Sequence, residues 1–165
     1  MAHGPQYKLA FKRRREGKTD YRRRKSLLMS DKPRAVVRRS IKYVSVQLVS
    51  TSAKGDVVVV TATSRELKEL GWKASGSNTA AGYLTGYMAG KRAAGKKLKE
   101  AVLDIGLATP VKGGVLFGAL KGLIDAGLDV PHDPESLPKE DRLKAGKGDI
   151  AKMLDATKAK IDGGA

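Results

Sequence analysis

The chain has 165 residues, no cysteine, 41% hydrophobic and 5% aromatic side chains, and a formal net charge of +16. That length and apolar content suffice for one domain with a buried core. The missing cysteines exclude disulfides, thiolate zinc sites and cysteine nucleophiles, while the charge calls for a polyanionic partner.

The charge is lopsided. Residues 1–42 hold 15 Lys/Arg against 3 Asp/Glu, whereas residues 43–165 hold 18 against 14. Residues 1–25 include Gly4, Pro5 and Gly17 and few apolar side chains. Alone they bury too little surface to order themselves, so they read as an arm that orders on a partner. Asp20 is placed to N-cap a short helix from Tyr21 to about Ser30, with Tyr21, Leu27 and Leu28 on its apolar side. Pro33 closes that helix, and Arg34–Ser40, with Val36 and Val37, reads as a strand. From Lys42 to Val49 the pattern alternates, Val44, Val46 and Leu48 on one face and Ser45 and Gln47 on the other. Residues 50–56 read as a turn, and the β-branched run Val57–Thr63 as a strand buried on both faces. The short gaps favour an antiparallel meander.

Ser64 is placed to N-cap a short helix, Arg65–Leu70, ended by Gly71. Ser77 or Asn78 opens a longer helix to about Ala94, with Leu84, Tyr87 and Met88 apolar. Its Gly82, Gly86 and Gly90 share one face. Each costs about 1 kcal/mol against alanine, so something must approach closely there. Helix-on-sheet packing is the expected partner, with close approach to RNA as the alternative. Ala101–Ile105 reads as a strand that completes a right-handed βαβ-like crossover with the preceding strand and helix. Gly113-Gly114 leads into a helix, Val115–Ala126, with Leu116, Ala119, Leu120, Leu123 and Ile124 buried and Gly127 at its C′ position. Leu128–Pro138 reads as an extended connection, and residues 139–162 as helix broken near Gly146 and Gly148.

The elements together predict an α/β fold. A mixed sheet of about four strands (a three-strand antiparallel meander, then helix-strand-helix) carries packed helices, a basic N-terminal arm and a C-terminal helical tail. The divisions are a basic extension with a short helix at 1–30, an α/β body at 31–135 and a helical tail at 136–165.

Three chemistries compete for the charged residues. Gly90-Lys91-Arg92-Ala93-Ala94-Gly95-Lys96-Lys97 approaches a phosphate-binding loop. It lacks the final Ser/Thr and lies at a helix end instead of between strand and helix, so an NTPase is excluded. Lys91, Arg92, Lys96, Lys97 and Lys99 read instead as cations near a helix C-terminus and a secondary RNA-facing patch. Asp104, Asp125, Asp129 and Asp133 offer no paired carboxylate site, and Asp104 reads as a structural acid in an apolar strand. His3 and His132 are too few to hold zinc, and no cofactor, metal or small-molecule substrate is expected. No run of about 18 apolar residues exists, so no membrane partner is expected.

RNA binding fits the residue types. Arginine grips phosphate with a planar fork, and the arm intersperses such cations with Tyr7, Phe11 and Tyr21, which can stack on unpaired bases. The candidate RNA-binding set is Tyr7, Lys8, Phe11, Lys12, Arg13, Arg14, Arg15, Lys18, Thr19, Tyr21, Arg22, Arg23, Arg24 and Lys25, extended onto the first strand by Arg34, Arg38 and Arg39.

Seven ordered blocks carry a resemblance. They are Arg13-Arg14-Arg15-Glu16-Gly17-Lys18-Thr19-Asp20-Tyr21, Lys32-Pro33-Arg34, Ser64-Arg65-Glu66-Leu67, Leu70-Gly71-Trp72, Tyr83-Leu84-Thr85-Gly86, Ala101-Val102-Leu103-Asp104-Ile105-Gly106 and Asp125-Ala126-Gly127-Leu128-Asp129-Val130-Pro131-His132. With them the sequence resembles the archaeal and eukaryotic branch of the 5S-rRNA-binding large-subunit ribosomal proteins. It departs from that pattern at Ala80, where relatives often have proline, and at Asp149, where they often have histidine. The resemblance implies a non-enzymatic, cytoplasmic, ribosomal scaffold in the central protuberance. Its implied partners are 5S rRNA, large-subunit rRNA and neighbouring ribosomal proteins including the L-five type. The alternative is a non-ribosomal basic RNA chaperone or a DNA-compacting protein.

Overall fold

A computed structural model describes residue 4 and residues 8–52, 54–145 and 149–164. Three strands, β1 (Arg34–Arg39), β2 (Val44–Ser52) and β3 (Gly55–Thr63), form the expected antiparallel meander. A fourth, β4 (Val102–Asp104), pairs parallel with β1, giving the order β3-β2-β1-β4. β4 therefore lies at the far edge and not beside β3. On the inner face Ala35, Val37, Val44, Val46, Leu48 and Ala62 are fully buried, as period two requires.

Two strand expectations fail at β3. β2 runs on to Ser52 and β3 begins at Gly55, because the Ser/Thr stretch pairs: Ser50 faces Val57, Thr51 faces Asp56 and Ser52 faces Gly55. Nor is β3 buried on both faces, since Val57 is 56% and Val58 49% exposed. It is an edge strand, and β-branched residues suit the pleated backbone whether or not both faces are covered. Its open edge is guarded by cations: Arg92 donates to the Thr61 carbonyl at 2.6 Å and Lys96 to the Val59 carbonyl at 2.5 Å.

The expected helix at 65–70 is a single 3₁₀ turn, Glu66–Lys68. The Ser64 hydroxyl does not cap it but accepts from the Val44 amide at 2.9 Å. Glu66 instead reaches back to the Thr63 amide at 2.8 Å. Helix α3 (Thr79–Gly95) starts where expected, with Asn78 accepting from the Ala81 amide at 2.7 Å. Its glycine face meets another helix and not the sheet. An added Cβ at Gly86 would lie 2.0 Å from the Ala119 carbonyl oxygen of α4 (Val115–Asp125). One at Gly82 would lie 2.7 Å from the Val115 oxygen. α4 answers with Gly118 and Gly122, the latter 2.1 Å from the Tyr83 oxygen in the same test. Glycines on both sides let the two backbones nearly touch. α4 ends as predicted at Gly127, whose φ of +98° favours glycine.

α5 (Glu140–Lys144) and α6 (Ile150–Gly164) bring Leu143, Ile150, Leu154 and Ile161 into the same core. α6 is fastened to α3 by the Tyr87 hydroxyl, which donates to Asp162 at 2.7 Å, and by the Lys91–Asp162 pair at 2.7 Å. Both helices of the sheet's inner layer, α3 and α4, cover one face only. The other face is left to the basic arm.

Candidate nucleic-acid interface

The arm contains two short helices, α1 (Lys12–Arg15) and α2 (Tyr21–Leu28). Asp20 caps α2 as expected, accepting from the Arg22 amide at 2.9 Å and the Arg23 amide at 3.2 Å. The helices are tied to each other by Phe11 against Tyr21, ring centroids 5.2 Å apart, and by Arg13 Nε donating to the Thr19 hydroxyl at 2.9 Å. Tyr7 lies outside the described residues.

α2 crosses the outer face of the sheet above a cleft of about 520 Å³ lined by Arg13, Lys18, Arg23, Arg38 and Arg39 among others. The 3.6-residue period splits its cations into two sets. Arg23, Arg24 and Leu27 share the inward face: Arg23 donates to the Gly106 carbonyl at 2.9 Å, and Arg24 reaches Asp56 at 2.6 Å. Arg22 and Lys25 point away from the body and are exposed. With Lys8, Lys12, Arg14 and Arg15 they make six exposed cations, none with a side-chain hydrogen bond or ion pair to another described residue. Lys18 is paired with Glu16 at 2.9 Å.

Beneath α2 the inward charges form an alternating chain. Arg24 and Arg34 both bond Asp56 Oδ2, at 2.6 and 2.7 Å. Arg34 and Arg38 both bond Asp104, at 2.9 and 3.0 Å. Asp104 also accepts from the Gly106 amide at 2.9 Å. Gly106 has φ +64°, which favours glycine, and the Arg38 guanidinium packs 2.9 Å from where a Cβ would lie. Burial raises the Asp104 carboxyl, but Arg38, the Gly106 amide and Arg34 outweigh it and hold it below the ordinary carboxylate value. The Asp56 carboxyl is likewise raised by burial and, on balance, lowered by Arg24 and Arg34.

Asp104 is thus the structural acid the sequence suggested. Arg34, expected to extend the phosphate-binding surface, is only 3% exposed and faces two carboxylates, so it is part of the fold's interior. Arg38 is exposed but held by Asp104, and Arg39 is exposed and makes no side-chain bond to a described residue. Of the secondary basic cluster, Lys91 and Arg92 pair with Asp162 and Glu66 and Lys96 caps the sheet edge, while Lys97 and Lys99 are exposed.

Two features were not foreseen. Arg65 and Lys68 stand over the Tyr43 ring, 5.0 and 5.7 Å from its centroid, beside a groove that Arg38 and Arg39 also line. A further cleft of about 630 Å³ runs from Arg39 to Arg142 past Asn78 and Gly114. Arg39 lines all three clefts and joins the arm to the body. Tyr43 meets Arg65 because Ser45 pairs with Thr63 in the sheet, a long-range register with no local signal. Among the described residues there is no His/Cys/Asp/Glu cluster able to hold a metal, and no helix long and apolar enough to cross a membrane.

Comparison with known proteins identifies a family. The family described as ribosomal large subunit proteins 60S L5, and 50S L18 matches residues 5–100 and 94–133. The large ribosomal subunit protein uL18 of Methanothermobacter thermautotrophicus is 52% identical over 144 residues, 87% of this chain and 75% of that protein. Its counterpart in Korarchaeum cryptofilum is 52% identical over 144 residues, 87% and 74% of the two chains. That of Aeropyrum pernix is 52% identical over 145 residues, 87% and 68%.

Proposed function

The chain belongs to this family of large-subunit ribosomal proteins, and from that premise we propose that it binds 5S rRNA through the outward face of its arm and helps attach it to the large-subunit rRNA. As a family member it is a structural, non-enzymatic constituent of the ribosome whose partner is rRNA. The observation that carries the proposal is the split of the arm. Six cations, Lys8, Lys12, Arg14, Arg15, Arg22 and Lys25, face solvent while Arg23 and Arg24 hold the helix to the sheet.

The mechanism follows from polyelectrolyte physics. Each phosphate neutralised releases condensed counterions, and that release supplies a large, sequence-independent share of the affinity. Phosphate contacts fix register without reading sequence. Discrimination therefore comes from the shape of the array and from stacking, for which Phe11 and Tyr21 are the arm's described aromatics, already packed together. Arg39, with Arg65 and Lys68 around Tyr43, places a second set of cations on the body, suited to the large-subunit rRNA. Neighbouring ribosomal proteins, including the L-five type, complete the proposed surroundings in the central protuberance.

Competition binding tests this reading. The whole chain is titrated with 5S rRNA against unrelated structured RNA and duplex DNA over a range of salt. Strong preference for 5S rRNA, lost on deleting residues 1–25, is expected. Equal affinity for all three would instead favour a general RNA chaperone or DNA-compacting protein.

A further inference from the structure

A cation-rich RNA-binding surface gains nothing electrostatically from carboxylates beneath it, yet three acids line the cleft under α2: Asp20, Asp56 and Asp104. Asp20 is occupied as the N-cap. The other two alternate with arginines in an unbroken chain, Arg24–Asp56–Arg34–Asp104–Arg38, that links the arm to β3, β1 and β4. Arg34 and Asp104 are interior, at 3% and 7% exposed, while Arg24, Asp56 and Arg38 reach solvent. Asp56 is the point where the buried part of this chain meets the arm. Thr51 holds its second oxygen at 3.3 Å.

We propose that Asp56 is a positioning residue for RNA binding: it latches Arg24, and with it α2, onto the outer face of the sheet, so that the outward cations meet RNA as a fixed array. The proposal rests on the reading of the arm as the rRNA-binding element. A free arm of this composition would order only on contact, at an entropic cost that weakens binding. The latch removes part of that cost in advance. Arg23 on the Gly106 carbonyl and Leu27 over the cleft act in the same direction. Arg24, although one of the three consecutive arm arginines, is thereby withheld from phosphate.

The sign of one substitution separates this from charge neutralisation alone. Asp56→Asn makes the chain more cationic and leaves an oxygen able to accept from Arg34. Counterion release alone predicts tighter binding, by a factor of about two or more, and an unchanged or steeper salt slope. The latch predicts weaker binding, by roughly 3- to 10-fold, the range of a partly exposed bridging carboxylate, at an unchanged slope. Arg24→Gln breaks the same latch from the exposed side, where folding of the body is not at stake. It should weaken binding by a similar factor with no loss of slope, whereas a phosphate-binding arginine would take about 0.7–0.9 units of slope with it.

The experiment measures 5S rRNA affinity across salt for the unaltered chain, Asp56→Asn, Arg24→Gln and the double variant. Trypsin cleavage within residues 12–25 of the free proteins and thermal midpoints are measured alongside. Expected are weaker binding in both single variants, no further loss in the double, faster arm cleavage in all three, a midpoint close to the parent's in Arg24→Gln and a lower one wherever Asp56 is neutralised. Equal or tighter binding by Asp56→Asn, additive effects in the double, or unchanged cleavage would overturn the latch. Binding by the unaltered chain that does not depend on residues 1–25 would instead overturn the underlying reading of the arm.

Discussion

Replacing Gly86 with alanine sets two effects of known sign against each other. In an isolated helix the change is favourable by about 1 kcal/mol. In this fold the new Cβ would sit 2.0 Å from the Ala119 carbonyl oxygen and 2.8 Å from its carbon, both of them backbone atoms that cannot rotate away. α3 and α4 would have to separate, and the reciprocal contacts of Gly82, Gly118 and Gly122 would loosen with them. Overpacking a tight core costs about 1–3 kcal/mol, occasionally more, and a backbone clash belongs at the upper end. The net expectation is a loss of about 2–3 kcal/mol, equivalent to a melting point lower by roughly 5–10 °C in a chain of this size. Gly95→Ala is the control. Its Cβ meets nothing within 4 Å, so only the propensity gain remains. Thermal melts of the two variants beside the parent give the answer. A Gly86→Ala protein melting at or above the parent would refute the close helix contact as the reason for the glycine face.

Three further outcomes are expected. Replacing Arg92 and Lys96 together by serine uncovers the Thr61 and Val59 carbonyls of β3, so concentration-dependent aggregation, followed by light scattering, should rise. Tyr87→Phe removes the bond to Asp162, costing about 1 kcal/mol, and should speed amide exchange in α6 more than in β1 or β2. Because the Asp56 and Asp104 carboxyls are held below their ordinary value of 3.8, their contribution is fully present above it and is lost as pH falls through the lowered values. Melting points taken from about pH 6 down to about pH 3 should therefore drop, and drop less in Asp56→Asn.

Local chemistry was readable from the sequence, and pairings across the fold were not. The Asp20 cap, the alternation of β2, Asn78 at the head of α3 and Gly127 after α4 each depend on residues within a few positions of one another. The exposure of Val57 and Val58 depends on β3 lying at an edge, which a β-branched run cannot reveal. The period of Gly82, Gly86 and Gly90 announced a close approach but not its partner. The matching period of Gly114, Gly118 and Gly122 was the available sign. The arm was located by charge alone. Its division into inward and outward cations was hidden, because Asp56 lies 32 residues beyond Arg24 and reaches it only once the sheet has formed.

The most direct test of the account is the salt dependence of rRNA binding after the six outward cations, Lys8, Lys12, Arg14, Arg15, Arg22 and Lys25, are replaced by glutamine. Losing about six phosphate contacts should flatten the log–log slope by about four to five units while the melting point stays near that of the parent. A slope that does not change would contradict the claim that this face of the arm holds the RNA.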